Sequence, residues 1–341
     1  MVNAMPGFRA RHQKSGKVYY YFDTGAKPRR EIPLGSDYRE AVKKWLELSN
    51  MPLTSPMETF ADLADKYEAE VVSAKAKSTQ QTQRGDIKKL REFFCNPTPA
   101  PLDEIKPKHI YQLLQWAKST PTTANRLKRT FSHMFNTARA WGWTEAENPC
   151  TGIEGHALGK REVYITDTVY RAVYEQGSDL LKDAMDLAYL TGQRPGDVRE
   201  LTEHHIQDGC LVIRQSKTGA PLRFVIEGEL AALLDRLAQR KAGRKLHSFN
   251  LLTTPQGTAA TSITLRRHFE KARAKAAEAA STPQLAAEIR AFWFYDLRAK
   301  AADDVADARG EQAAAKQLGH ASVSTTKRHY LRRGAKVQAT K

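Results

Sequence analysis

No stretch of the 341 residues holds the run of ~20 apolar residues that a membrane-crossing helix needs. The opening MVNAMPGFRARHQKSG has no apolar centre of the kind a secretory signal carries, so the expected location is the cytoplasm. Cysteine is scarce. Cys95, Cys150 and Cys210 are odd in number and far apart, which excludes a disulfide framework and offers no C-x-x-C metal pattern. Acidic residues are the minority charge, 38 against 54 Lys and Arg, for a net charge of +16. That imbalance points to a polyanionic partner, most often nucleic acid, because each neutralised phosphate releases counterions and adds affinity. Apolar residues, at 41%, are plentiful enough for the cores of two or three domains.

Composition and turn signals divide the chain into residues 1–50, 58–148 and 155–341. In the first, residues 8–35 alternate aromatic or apolar with polar residues around Gly-bearing turns. Val18–Phe22 and Arg30–Leu34 read as strands of a small sheet, followed by a helix over about 38–48. Arg9, Arg11 and Lys17 are its candidate DNA contacts. Basic β-ribbons enter DNA grooves, and the same pattern fits a hairpin packed on a neighbour. After the breaker stretch SNMPLTSPMET, apolar residues recur at helical spacing in Phe60, Leu63, Ala64 and Tyr67, and again in Ile87, Leu90, Phe93 and Phe94. Helices are predicted over 106–118 and 122–142, the latter with Thr122 as its cap. Its apolar face is Leu127, Phe131, Met134, Phe135 and Ala138, with Arg126, Lys128, Arg129 and Arg139 mostly off it. Those four are candidate DNA contacts, although a solvated helix face is the plainer reading of any one of them.

ENPCTGIEGH at 147–156 reads as a turn-rich connection. Beyond it, helices are predicted over 166–175 and 179–191, then the turn TGQRPGD before a Pro-started helix. Strands at 209–215 and 222–226 flank the hairpin signal SKTGAP. Helices over 228–242, 261–280 and 283–309 follow, then a Leu-Gly-His turn and a last helix carrying Tyr330. Polar residues gather at the ends of these elements: Arg194 and Asp197 in TGQRPGD, Lys217 in the hairpin, Tyr295 and Arg298 in FWFYDLRAK, His320 and Tyr330 in LGHASVSTTKRHY. Each alone has an ordinary explanation as an ion pair, a solvated charge or a cap. Together they supply what phosphoryl transfer to a side-chain hydroxyl requires: two guanidiniums for two non-bridging oxygens, an imidazole, a mobile ammonium and a nucleophile.

TGQRPGDV, SKTG, YDLRAKA and LGHASVSTTKRHY occur in the order and approximate spacing of the tyrosine recombinases, the phage-type integrases, and the chain resembles that family through these motifs over about 155–333. TANRLKRTFSHMFNTARAWGW…ENP looks, more weakly, like the family's helical core-binding domain, and the basic N-terminus is similar to its arm-site-binding domains. The resemblance implies a mainly helical fold with small β elements: a β-rich arm-binding-like domain, a helical core-binding domain and a mixed α/β catalytic domain. It implies Tyr330 as nucleophile, Arg194, Arg298 and His320 as the phosphate clamp, Lys217 as general acid, and Asp197 as the prop of Arg194. Tyr295 stands where the family usually has His; a phenol donates a hydrogen bond but, with an ordinary pKa near 10, is a poor general base.

The implied activity is site-specific cleavage and rejoining of duplex DNA through a 3′-phosphotyrosyl intermediate, integrating or excising a phage or mobile element. Double-stranded DNA at core and arm sites, a homotetramer on that DNA and an accessory DNA-bending protein are the implied partners. Neither cofactor nor metal is expected, since a phosphoester replaces a phosphoester, guanidiniums provide the charge, and the sequence has no P-loop and no carboxylate cluster near the motifs. The alternatives are a type IB topoisomerase-like DNA-relaxing enzyme and a non-catalytic DNA-binding regulator with the same fold.

Overall fold

The computed structural model describes residues 5–13, 15–25, 29–49, 58–242 and 248–334. The breaker residues 50–57 and the tail beyond residue 334 lie outside the described residues. The chain separates into two compact units, Met1–Gly159 and Lys160–Lys341.

The first unit opens with β1 (Phe8–His12), β2 (Val18–Asp23) and β3 (Glu31–Gly35), an antiparallel sheet in that order, followed by helix α1 (Tyr38–Ser49). Alternation sends Tyr20 and Leu34 to one face, where they are buried with Ala41 and Trp45 of α1, and Trp45 Nε1 donates to the Pro6 carbonyl at 3.0 Å. A helical bundle follows: α2 (Phe60–Tyr67), continued by a π turn over Glu68–Val72, α3 (Lys77–Phe94), α4 (Pro107–Trp116) and α5 (Pro121–Ala140). Thr59 and Asp62 form a capping box that starts α2. Helix α5 begins one residue earlier than predicted, with Pro121 in its first turn and no side-chain cap, because the fixed φ of proline already suits that position and Thr122 falls inside the helix. Its face of Leu127, Phe131, Met134, Phe135 and Ala138 is fully buried. The ENPCTGIEGH connection packs back on α5. Asn148 Nδ2 donates to Ser132 and Asn136, and Asn125 exchanges hydrogen bonds with the backbone of His156 at 2.8 Å.

The second unit contains α6 (Asp167–Glu175), α7 (Asp179–Thr191) and the short α8 (Pro195–Arg199). A small antiparallel sheet follows, of β4 (Ile206–Gln207), β5 (Cys210–Arg214) and β6 (Pro221–Val225). Then come α9 (Gly228–Ala242), α10 (Ser262–Glu278), α11 (Pro283–Ala291), α12 (Asp296–Arg309), α13 (Glu311–Gln317) and α14 (Val323–His329). Thr166, Ser178, Thr261 and Thr282 each accept a backbone N–H at a helix start, satisfying donors that have no partner inside the helix.

Three expectations need correction. The helix predicted over 283–309 is broken at residues 292–295: Phe292 is extended and buried against Phe269, and the Asp296 carboxylate accepts the Trp293 N–H at 2.8 Å, so the chain turns and α12 starts afresh. A further helix, α13, follows Gly310, whose φ of 87° marks the stop between the two. Tyr330 lies at the C-terminal cap of α14 and not within it.

Helix α12 is the centre of this unit. Residues 296–303 are all buried, although four of the eight are charged. A buried charge persists only when partnered, and each of the four has partners: Asp296 with Arg161 and Arg332, Arg298 with backbone carbonyls, Lys300 with Asp167 and Asp304, and Asp303 with the backbone N–H groups of Arg332 and Arg333.

Candidate active site

Through Arg298, helix α12 draws together the end of α7 and the Leu-Gly-His turn. Helix α7 ends in the left-handed Gly192 (φ 65°), which frees its carbonyl to accept from Arg298 Nη1 at 2.7 Å. The Leu-Gly-His turn presents the Leu318 carbonyl to Arg298 Nη2 at 2.8 Å, and that oxygen also accepts Gln215 Nε2 at 2.8 Å. Gln215 in turn takes Arg194 Nη1 on its Oε1 at 3.0 Å. One carbonyl and one amide thus link the two guanidiniums. The turn must be glycine at 319, where φ is +65° and an added Cβ would lie 2.9 Å from the Gln215 amide nitrogen. Gln193 extends the frame, accepting Gln215 Nε2 at 2.6 Å and donating to the Gln317 carbonyl at 2.8 Å.

Asp197 stands behind Arg194 at 3.7 Å and is 5% exposed. Its other oxygen accepts both the backbone N–H (2.9 Å) and hydroxyl (2.7 Å) of Ser216, tying the β5–β6 turn to the start of α8. Lys217, next in that turn, is exposed and makes no hydrogen bond or ion pair among the described residues. It is therefore not gathered with the clamp.

Tyr330 is buried, with its ring 5.1 Å from the Arg298 guanidinium and 5.1 Å from the His320 ring. Its hydroxyl is 2.9 Å from that of Tyr295, which caps α12 one turn ahead of Arg298. Burial raises the Tyr330 phenol, but the Tyr295 hydrogen bond and the charges of Arg298 and Arg194 outweigh it and leave the pKa lowered. Tyr295 goes the other way, pushed up to about 12 by burial and by its bond to Tyr330. Of the two phenols, the surroundings of Tyr330 favour ionisation and those of Tyr295 oppose it. Burial, with Arg298 and Arg194 nearby, holds His320 down at about 4. Its Nε2 faces Arg298 Nη2 at 3.2 Å, and its Nδ1 faces Thr326 Oγ1 at 2.8 Å. A guanidinium only donates, so Nε2 accepts and Nδ1 carries the proton. His329, the residue before Tyr330, is exposed.

Five of the predicted residues, Arg194, Arg298, His320, Tyr295 and Tyr330, are linked in one group by hydrogen bonds and ring contacts, with Asp197 supporting Arg194. Sequence reasoning missed Gln193, Gln215 and Thr326. The first two stand next to or near a singled-out residue in TGQRPGD and QSKTG, and a polar residue beside a motif position was the available signal. The candidate DNA contacts in the other unit divide. Arg126 is engaged by the buried Asp86 through both carboxylate oxygens at 2.9 Å, and Lys128 donates to the Ile153 carbonyl. Arg9 pairs with Asp23 at 2.9 Å and Arg11 with Glu31 at 2.5 Å. Arg129, Arg139 and Lys17 are exposed, with no side-chain ion pair or hydrogen bond among the described residues.

The sequence model described as the phage integrase family matches residues 165–336, just over half of the chain. The integrase of Escherichia phage HK022 is 27% identical over 338 residues, covering 92% of this chain and 91% of that protein. The integrase of Escherichia phage lambda is 27% identical over 274 residues, 74% of this chain and 76% of its own. Among solved structures, a lambda integrase tetramer bound to a Holliday junction aligns with a TM-score of 0.70 at 22% identity over 99% of both chains. The Tn1549 transposon integrase in complex with a circular intermediate DNA aligns at 0.66 and 16% identity, over 80% of this chain and 95% of that one. Family and fold define a tyrosine-type site-specific DNA recombinase. The chain belongs to the phage integrase family.

Proposed function

We propose that this integrase cuts and rejoins duplex DNA with Tyr330 as nucleophile, Arg194, Arg298 and His320 as the phosphate clamp, and Lys217 as general acid. The Tyr330 oxygen attacks the scissile phosphorus, the bond to the 5′-oxygen breaks, and Lys217 gives that oxygen a proton. A 3′-phosphotyrosyl link and a 5′-hydroxyl result. Attack by a 5′-hydroxyl of the second duplex then expels Tyr330, so the number of phosphodiesters is conserved and no energy source is consumed. Tyr295 donates to the phenolate oxygen until it attacks. The arriving phosphate is an anion, which favours protonated His320; the imidazolium then donates to a non-bridging oxygen, and each such donor contributes about 2.7–4 kcal/mol to the transition state. Lys217 sits on an exposed turn and reaches the leaving oxygen by swinging in on its four-carbon stem.

The observation that carries the reading is the Tyr330 hydroxyl, 2.9 Å from that of Tyr295, with its ring 5.1 Å from both the Arg298 guanidinium and the His320 ring. We assign residues 1–50 to arm-site binding, 58–148 to core-site binding and 155–341 to catalysis. Arg129, Arg139 and Lys17, which carry no internal ion pair among the described residues, are the stronger DNA contacts of those considered. A homotetramer on two sites is the working assembly, since four strands are exchanged and lambda integrase has been solved as a tetramer on a Holliday junction. The element moved is a phage or other mobile element. Trapping the covalent complex on DNA flanking the gene, and sequencing the attached strand, tests the reading. A single recurrent 3′ end is expected; adducts scattered without site preference would instead describe a DNA-relaxing enzyme.

A further inference from the structure

The nucleophile is fixed from the side that follows it as well as from the side that precedes it. Before it, the Tyr330 N–H bonds the Thr326 carbonyl at 2.8 Å, the ordinary closure of a helix. After it, the chain is caught by two buried carboxylates of α12. Asp303, 3% exposed, accepts the Arg332 N–H at 2.9 Å and the Arg333 N–H at 3.3 Å. The Arg332 side chain, 7% exposed, turns inward and donates through Nη1 to Asp296 Oδ1 at 2.7 Å and to the Val163 carbonyl at 2.5 Å. Asp296 is itself fully buried and fixed by Arg161 at 2.9 Å. These contacts lie at positions 296 and 303, seven residues apart, and so on one face of the helix that also carries Arg298 and is capped by Tyr295.

We infer that Arg332 and Asp303 are positioning residues that latch the nucleophile onto α12, so that the clamp arginine, the Tyr295 donor and the attacking oxygen share one rigid reference. The phrase YLRR therefore has two functions. Arg332 is an internal fastener that never touches DNA, whereas Arg333 is half-exposed and pairs with Asp307 at 2.7 Å on the surface. A surface arginine next to a nucleophile would serve phosphate binding; a buried one bonded to a buried carboxylate cannot reach it. The functional consequence is geometric. Displacing an attacking atom by about 1 Å costs on the order of 10²-fold in rate, and beyond its own helix Tyr330 is held through the Asp303 carboxylate and the Arg332 side chain.

This inference rests on Tyr330 being the nucleophile, and its test separates the two. On a nicked duplex carrying the mapped site, wild-type protein forming an adduct and Tyr330→Phe forming none establishes the nucleophile. Arg332→Met is then expected to lower the single-turnover cleavage rate at saturating DNA by about 10²-fold while the half-saturating DNA concentration stays within about twofold, as no phosphate contact is lost. Arg332→Lys, which keeps a donor for Asp296, should recover part of the rate, and it covers the case in which the Met variant fails to fold. A second comparison separates positioning from damage to the clamp. Hydrogen peroxide, as a diffusible nucleophile, attacks the clamped phosphorus and expels the same 5′-oxygen without any tyrosine. Equal peroxide cleavage by Tyr330→Phe with and without Arg332→Met is the expected result. The latch is overturned if Arg332→Met cleaves at the wild-type rate, or if it slows peroxide cleavage as much as tyrosine cleavage.

Discussion

Replacing Tyr295 by Phe removes one oxygen and leaves the ring, so it isolates the 2.9 Å bond between the two phenols. Hydrogen bonds to charged groups contribute about 1.5–3 kcal/mol, which at about 1.4 kcal/mol per decade is about 10- to 150-fold in rate. Tyr295 is 40% exposed, so water can enter where the hydroxyl was, and the lower part of that span, about 10- to 30-fold, is the expected loss. The pH dependence gives the sign. Burial raises the Tyr330 phenol while Tyr295 is foremost among the groups that lower it, so without that donor the phenol moves back up toward its ordinary value. Cleavage that needs the phenolate rises with pH until the phenol is ionised, and the Phe variant therefore keeps rising where wild type has levelled off. The gap between them narrows in alkali. Single-turnover cleavage of a suicide duplex from pH 6 to 10 reads both features, and Tyr295→His, which restores a donor, should cleave well at neutral pH. Parallel pH profiles, or a Phe variant as fast as wild type at pH 7, would refute the reasoning.

Arg298→Ala should bind site DNA nearly as wild type yet fail to cleave, and should also melt lower, because the Gly192 carbonyl loses its buried donor at about 1–3 kcal/mol, while the Leu318 carbonyl keeps Gln215 Nε2. Thermal melting with gel-shift and cleavage assays measures all three. Arg126→Ala should behave mainly as a folding mutant: it leaves the buried Asp86 with Thr130 alone, and about 3 kcal/mol of stability should be lost in denaturant titration. Its DNA affinity, measured below its melting point, should change less than that of Arg129→Ala. His320 has a folded-state pKa of about 4, below the ordinary ~6.5, so the unfolded chain takes the proton first and stability contributed by the neutral imidazole is lost as pH falls from about 6.5 toward 4. Melting curves of wild type and His320→Gln should converge as the pH is lowered through that window.

Much of the arrangement was legible because the candidate residues lie at chain breaks. TGQRPGD, SKTGAP and Leu-Gly-His are turn signals that fix where Arg194, Lys217 and His320 stand, and helical spacing gave the α5 face residue by residue. What was hidden depends on contacts between distant segments. The strong helix formers of 283–291 and 296–309 read as one helix, and the break between them comes from Phe292 being buried on Phe269. Gln215 bridges Arg194 to a carbonyl 103 residues away, which no local pattern encodes. Arg126 looked like its neighbours Lys128 and Arg129 until Asp86, 40 residues earlier, was found folded against it. In the same way, nothing in YLRR distinguishes the inward Arg332 from the outward Arg333.

Mapping the residue that carries DNA is the most direct test of the central claim. After suicide cleavage, protease digestion and mass spectrometry, the nucleotide remnant is predicted on the peptide containing Tyr330, and Tyr330→Phe is predicted to yield none. A remnant on Tyr295, whose oxygen lies only 2.9 Å away, or an adduct that survives Tyr330→Phe, would contradict the account.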